Sequence, residues 1–261
     1  SYVSLASRFN YAIQAFSQTN FFFGQTGGVF YDPAFANIID RDLAVATRTV
    51  RGATVFGIWP LDRYRRFEVT AGLMQYNERF NDPGFEQAST NFQAEQFGRQ
   101  IFQSGVFMPL GVNYIQETTI FREFGPLSGN TMRLSYEYSP PIGNSLSRQT
   151  ADVDVRHYMR LRGSGLLALR AKGFKSWGDV PSFNYFGGNS EMRGYDYLQF
   201  IGSETAFFNA ELRFPVIEAM LTPIGVFGGI RGVFFANMGG GSFDGQPFTW
   251  WSNSSEAVNP V

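Results

Sequence analysis

The chain has no cysteine and a single histidine in 261 residues, and only 16% of its residues are charged. The absence of cysteine excludes a disulfide framework and a thiolate metal site. A net charge of -1 provides no basic surface for nucleic acid. The chain also lacks the ~20 consecutive apolar residues of a transmembrane helix. Its most apolar long window, residues 214–230, is interrupted by Glu218, two prolines and several glycines.

Aromatic residues and glycine are abundant instead. The chain contains 29 Phe, 12 Tyr and 29 Gly, and its charged fraction lies below the ~25% typical of soluble domains. Its mean hydropathy is nevertheless only -0.15. A transmembrane β-barrel reconciles these values, because alternate residues face lipid and the others face a polar lumen. The composition therefore predicts an all-β chain that forms a transmembrane antiparallel β-barrel.

Alternation of apolar and polar residues supports this fold class. It is clear in residues 65–76, 131–138, 152–162 and 208–214, and the whole chain predicts about eleven strands of ~10 residues, the length that crosses a bilayer. The alternation predicts that lipid contacts Phe67, Val69, Leu134, Val155, Phe208 and Leu212. It predicts that the lumen is lined by Glu68, Arg133, Asp154, Arg156, Glu211 and Arg213.

Short turns alternate with long links, as in outer-membrane barrels. Residues 60–63 and 161–165 predict tight turns, and the glycine run 239–241 predicts another. Residues 78–96, rich in Asn, Gln and Asp, predict a long external loop. No linker divides the chain, so residues 1–261 are expected to form one barrel domain. Bacterial single-chain barrels have even strand numbers, so the domain is expected to be incomplete at the C-terminus, and missing strands at the N-terminus are an open alternative.

A Gly-rich polar segment precedes the strand at residues 208–214. It reads Phe-Gly-Gly-Asn-Ser-Glu-Met-Arg-Gly-Tyr from Phe186 to Tyr195. This segment is too polar to be part of the wall, and it carries one arginine, Arg193. The following strand carries one inward carboxylate, Glu211. The pair predicts a loop that folds back into the barrel and is tied there.

Four segments resemble, in order, the BamA-like superfamily of outer-membrane assembly barrels, the bacterial surface antigen family. They are residues 154–158, the loop with Gly187-Gly188 and Met192-Arg193-Gly194-Tyr195, residues 210–215 and residues 234–239. Each motif alone is weak, but four in order at natural spacing are specific, and they cover about a third of the chain. The resemblance implies a barrel of about sixteen strands and a periplasmic module that is absent from this chain.

The resemblance also implies which residues lock the loop. In the family the loop arginine pairs with acidic residues on the next two strands. The matching positions here are Arg193, Glu211 and Asn237, where Asn237 replaces the usual Asp. Asn237 is expected to accept a hydrogen bond through its amide oxygen, without the charge-assisted bond of a carboxylate. The open alternatives are a weaker tether or one that uses Asp196. The loop-locking set is Arg193, Gly194, Tyr195, Glu211 and Asn237, with Gly187 and Gly188 as loop glycines.

No catalytic site is predicted. Barrel hydrolases generally rely on histidine as a base, and the single histidine, His157, falls on the apolar face of its strand. Asp152 and Asp154 share a face, but Arg156 beside them indicates a charge ladder of the lumen and not a calcium site. The chain is therefore expected not to be an enzyme, to hold no metal and to use no cofactor.

The resemblance implies insertion or translocation of proteins at the bacterial outer membrane. The implied partners are outer-membrane lipid and lipopolysaccharide, client proteins and accessory subunits of an envelope complex, with no nucleic acid. The alternative is a passive pore, or a membrane anchor for a fused or associated soluble domain, because family membership does not fix an activity.

Overall fold

The computed structural model describes residues 1–4, 8–22, 46–98, 100, 104–122, 125–162, 164–243, 245–248 and 250. Within these ranges the chain forms fourteen strands and one helix. No helix in this part of the chain is long and apolar enough to cross a membrane.

Most of the chain is extended, and the helix interrupts the strands once. The helix is α1 (Pro83–Phe97). The strands are β1 (Tyr2–Ser4), β2 (Asn10–Phe22), β3 (Ala46–Pro60), β4 (Arg65–Phe80), β5 (Gly105–Phe107), β6 (Leu110–Glu117), β7 (Ile120–Arg122), β8 (Gly125–Ser139), β9 (Arg148–Arg160), β10 (Leu166–Gly178), β11 (Asn184–Phe186), β12 (Phe200–Gly202), β13 (Glu204–Thr222) and β14 (Gly225–Ser242).

One large sheet contains all but two of these strands. Its order is β1-β2-β3-β4-β6-β8-β9-β10-β13-β14, with β5 added beside β4 and β7 beside β8. Every pairing in it is antiparallel. The remaining strands, β11 and β12, pair only with each other. The predicted all-β antiparallel class is confirmed.

The two faces of the sheet differ as the alternation predicts. On β13, Phe208 and Leu212 are 41% and 38% exposed, whereas Asn209 and Glu211 between them are 5% and 7% exposed. The exposed face also carries Phe67, Val69 and Leu134, and the opposite face carries Glu68. Val155 is half-buried. An apolar outer face with a polar inner face is the arrangement that a membrane wall needs.

The connections divide between the two ends of the sheet. One end, here called the short-turn end, has a turn at 61–64, one residue after the predicted 60–63, and the predicted tight turn between β9 and β10, where the Leu161 N–H donates to the Gly165 carbonyl at 2.8 Å. In the first turn, Asp62 accepts hydrogen bonds from the backbone N–H groups of Tyr64 and Arg65 at 2.8 and 2.9 Å. The other end, the long-loop end, has α1 and the links at 140–147 and 179–203.

The hairpin of β13 and β14 is longer than its neighbours. β13 has 19 residues and β14 has 18. Only residues 204–213 of β13 pair with β10. Among the described residues, 214–222 pair with β14 alone, after an irregularity between Pro215 and Ile217. The hairpin therefore projects past the β9–β10 turn at the short-turn end.

The prediction of a long external loop at residues 78–96 is wrong. Strand β4 continues to Phe80, and α1 occupies most of the rest. Asp82 is the N-cap and accepts from the Phe85 N–H at 2.7 Å, and Gly98 ends the helix in a left-handed conformation, with φ 68°. An N-cap Asp followed by Pro at the first helical position is a helix-start signal. The polar composition of the segment obscured it.

The predicted turn at Gly239–Gly241 is also wrong, because these glycines lie inside β14. Their role is close approach and not chain reversal. A Cβ on Gly239 would lie 2.7 Å from Cβ of Phe207, and one on Gly241 would lie 3.0 Å from the Ile201 carbonyl oxygen. Gly241 therefore lets the segment before β13 approach the inner face of β14.

Candidate functional site

The predicted loop lies between β10 and β13 and is built on a small hairpin. β11 and β12 pair at Asn184–Gly202 and Phe186–Phe200, and residues 187–199 between them form the segment here called the inward loop. Gly187 and Gly188 open it with φ of 143° and 76°. A Cβ on Gly187 would also lie 2.5 Å from the Asp196 carbonyl oxygen. Both positions therefore require glycine.

An apolar cluster places this loop against the inner face of the sheet. Phe186, Met192 and Phe207 are 0%, 2% and 3% exposed and form a core with Phe200. The ring of Phe186 stacks on Phe200 and on Phe207, with centroids 5.0 and 5.5 Å apart. Phe207 belongs to β13, on the same face as Asn209 and Glu211. The inward loop is therefore packed on the wall through this cluster.

Arg193 and Glu211 form the central ion pair. Arg193 Nε donates to Glu211 Oε1 at 3.0 Å, and its Nη2 lies 2.9 Å from the same oxygen. The other oxygen, Oε2, accepts from Arg213 at 2.8 Å. The Arg193 guanidinium also lies over the Phe235 ring, 5.5 Å from its centroid. The Glu211 side chain is 8% exposed and that of Arg193 31%, so water reaches the loop partner more than the wall partner.

Asn237 contacts the loop, but not in the expected sense. Its Nδ2 donates to the backbone carbonyl of Arg193 at 3.1 Å. Its Oδ1 is buried and has no hydrogen-bond partner among the described residues. The expectation that Asn237 accepts through its amide oxygen is therefore wrong. Asp196 is exposed, and its backbone N–H donates to Gln199 at 2.8 Å, while Arg193 pairs with Glu211.

The other two residues of the predicted motif, Gly194 and Tyr195, are exposed. Gly194 is exposed with φ 91°, a conformation that favours glycine. Tyr195 is 44% exposed and packs edge-on against Phe200, with ring centroids 5.0 Å apart.

Two further wall residues contact the loop, and the sequence analysis missed both roles. Arg170 on β10 donates to the Ser190 carbonyl at 3.3 Å, and Asn209 on β13 donates to the Glu191 carbonyl at 3.2 Å. Arg170 also pairs with Asp154 at 2.8 Å. The sequence did carry one signal for these residues. Both alternate with apolar neighbours, which predicts that they face the lumen.

A second arginine site, here called the Arg148 site, lies nearer the N-terminal half. Its members are Tyr76, Phe107, Glu137 and Arg148. Arg148 pairs with Glu137 at 2.9 Å, and its guanidinium lies 4.9 and 6.0 Å from the ring centroids of Phe107 and Tyr76. Phe107, on the short strand β5, is 1% exposed. No sequence motif indicated this site.

Outside these sites, charged residues lie along the inner face of the sheet. Asp154 pairs with Arg156 at 2.9 Å and with Arg170 at 2.8 Å, which matches the expected charge ladder. His157 is exposed on the outer face beside Asn130. No group of three or more potential metal ligands occurs among the described residues. Burial raises the pKa of Tyr185, on β11, to about 12.

The sheet, its two faces and the inward loop define the class of a transmembrane antiparallel β-barrel. No family model and no curated protein matches the chain. Among solved structures, the chain is similar to BamA from Haemophilus ducreyi lacking POTRA domains 1–3, with a TM-score of 0.63 and 12% sequence identity. The match covers 89% of this chain and 46% of that chain, so the chain spans less than half its length. At this identity the likeness shows the fold, and the predicted barrel class is confirmed.

Proposed function

We propose that the chain is part of a BamA-like outer-membrane barrel that takes part in inserting or translocating proteins at the bacterial outer membrane. The observation that carries this proposal is the pairing of Arg193, on a loop inside the barrel, with Glu211 on the wall. The fold shared with BamA adds support at the level of architecture. The proposed locking set is the predicted one, with Asn237 acting as a donor.

The proposed activity needs no cofactor and no chemical turnover. Client strands would pair with an exposed strand edge, where main-chain hydrogen bonds provide affinity and side-chain pockets provide specificity. Lipid and lipopolysaccharide would contact the apolar outer face, and client proteins and accessory subunits would be the protein partners. The locked loop would fix the inner face of β13 and β14 while the edge is engaged.

A passive pore or a membrane anchor is the second candidate. The observation that favours it is the charged inner face, where Asp154 contacts both Arg156 and Arg170. A charged lumen suits ion passage as well as loop docking. In that case the inward loop would act as a plug and not as part of an assembly mechanism.

Arg193→Ala tests the proposal against Arg213→Ala as a matched control. Both variants remove one of the two arginines on Glu211, but only Arg193 belongs to the loop. Folding is followed by heat-modifiable gel mobility, and activity by complementation of a strain depleted of the protein. We expect both barrels to fold and only Arg193→Ala to fail in complementation.

Full complementation by a folded Arg193→Ala barrel would contradict the assembly proposal. Single-channel conductance in planar bilayers separates the second candidate. A stable current that rises in Arg193→Ala, without any loss of complementation, would favour a plugged pore.

A further inference from the structure

The inward loop crosses three adjacent strands, and each strand supplies one side-chain donor to it. Arg170 on β10 donates to the Ser190 carbonyl, Asn209 on β13 to that of Glu191, and Asn237 on β14 to that of Arg193, at 3.3, 3.2 and 3.1 Å. Three carbonyls of the loop, taken in chain order, therefore bind three successive strands of the wall.

The three donors lie side by side in the sheet. Arg170 is directly opposite Asn209, and Asn209 is directly opposite Asn237. Directly opposite residues share a face and lie ~4.5–5.5 Å apart. The residues therefore form a single line across the inner face, perpendicular to the strands.

The remaining carbonyl of this stretch, that of Met192, accepts from the Tyr195 N–H inside the loop at 3.3 Å. All four carbonyls from Ser190 to Arg193 thus have donors. The donors on the wall bind main-chain oxygens, which every residue type provides. This part of the docking does not depend on which side chains the loop carries.

We propose that Arg170, Asn209 and Asn237 form a donor row that positions the inward loop by its main chain, independently of the Arg193–Glu211 pair. In this row Asn237 acts only as a donor, because its Oδ1 and that of Asn209 are buried without a partner among the described residues. A carboxylate at position 237 would place an acceptor against the Arg193 carbonyl. Asn237→Asp therefore loosens the loop, although it adds an acid near Arg193.

The absence of cysteine makes a direct test possible. Met192→Cys places a single thiol at a position that is 2% exposed when the loop is docked. In barrels folded into liposomes, the rate of maleimide labelling at this thiol reports how often the loop opens. Asn237→Asp and Asn209→Asp are each added to this background. Asn113→Asp is the control, since it makes the same change on β6, which pairs with none of the three strands.

Loss of one part-buried hydrogen bond to a loop carbonyl is expected to raise the labelling rate about tenfold in Asn237→Asp and in Asn209→Asp. The control is expected to stay within about twofold of the parent. Asn237→Leu removes the donor without adding charge, so it should also label faster. Labelling of Asn237→Asp at the parent rate or more slowly would overturn the proposal, because the carboxylate would then be held by the Arg193 guanidinium.

Heat-modifiable mobility confirms that each variant is folded, and Asn209→Asp decides the outcome if Asn237→Asp fails to fold. The labelling rate depends on loop position and not on activity. A negative result here therefore leaves the proposed membrane function intact, and a failure of complementation leaves the donor row intact.

Discussion

The inward loop and the Arg148 site each place a guanidinium over an aromatic ring, but the first joins a loop to the wall and the second lies within the wall. Arg193 belongs to the loop and pairs with Glu211 of the wall. Arg148 belongs to the wall, pairs with Glu137 of the neighbouring strand β8, and lies over Phe107 of β5, which continues β6 beside β4 in the same register. Each guanidinium therefore covers an aromatic ring and contacts one carboxylate.

The difference decides which contacts change when the inward loop opens. The Arg148–Glu137 pair is made within the wall, so it does not depend on the loop. Glu211 keeps a wall partner, Arg213, at 2.7 Å. Opening of the loop therefore leaves no unpaired buried carboxylate at Glu211, whose cost could reach ~3–5 kcal/mol. The inward loop loses one ion pair on opening, and the Arg148 site loses none.

The largest effect is expected from removing the aromatic residue that buries each segment. Phe186→Ala should destabilise the docked inward loop by ~3 kcal/mol, and Phe107→Ala should destabilise the wall around β5 by a similar amount, because each ring is almost fully buried. Thiol labelling at Met192→Cys and at Val106→Cys measures the two segments separately. Phe121→Ala, at a ring that is 60% exposed, is the control. Loosening of both segments by either change would show that they are one unit.

Loss of the wall carboxylates should have a smaller and unequal effect. Glu211→Gln removes the partner of both Arg193 and Arg213 and should weaken loop docking by ~2 kcal/mol. Glu137→Gln leaves Arg148 over Phe107 and should weaken the packing of β5 in the wall by less than ~1 kcal/mol. The same two labelling positions report both values. Equal effects would contradict the asymmetry between the sites.

Exchanging each arginine for lysine should have a still smaller effect. Arg193 contacts one oxygen of Glu211 through two nitrogens, whereas the guanidinium of Arg148 lies 4.9 Å from the centroid of the Phe107 ring. Lysine retains the charge but loses the planar group. We expect Arg148→Lys to weaken the packing around Phe107 by ~1 kcal/mol and Arg193→Lys to weaken loop docking by less. A larger loss for Arg193→Lys than for Arg148→Lys would show that the two-nitrogen contact with Glu211 contributes more than the contact with Phe107.

The last effect concerns the loop alone and is absent at neutral pH. The pKa of Tyr185 is raised by burial to about 12, whereas in the unfolded chain it would be ~10. Between these values the unfolded state binds fewer protons, so stability falls as the pH rises through this window. Phenolate absorbance should show one group titrating near 12 that is missing in Tyr185→Phe, and that variant should lose less stability between pH 10 and 12. Identical pH profiles would contradict burial of this phenol.

Local sequence patterns predicted the two faces of the strands and part of the site, but not the contacts that depend on how one strand aligns with another. Alternation placed Phe208 and Glu211 on the correct faces, because side-chain direction in a strand has a strict period of two. The same rule could not tell that Arg170 and Asn209 lie side by side, because their alignment depends on the register of β10 against β13. The Arg148 site joins strands far apart in sequence and leaves no local signal.

The glycines show the same limit. Gly187 and Gly188 were recognised from a motif, and their positive φ angles agree with that assignment. Gly239 was interpreted as part of a turn because glycine runs commonly mark turns. It lies in β14 opposite Phe207, which leaves no room for a side chain at this position. Sequence alone does not distinguish a glycine needed for its backbone angles from one needed for space.

The part of the β13–β14 hairpin that extends past β10 indicates where the membrane boundary lies along the strands. Unpaired peptide groups do not occur against hydrocarbon, so the membrane boundary at the short-turn end lies near the last β10–β13 pair, Leu166 with Arg213. Ten paired residues at ~40° tilt cover about 25 Å, the height of the apolar band of such barrels. The rest of the hairpin extends past this pair, and the unpaired edge amides of β13 there should exchange hydrogen before those paired with β10.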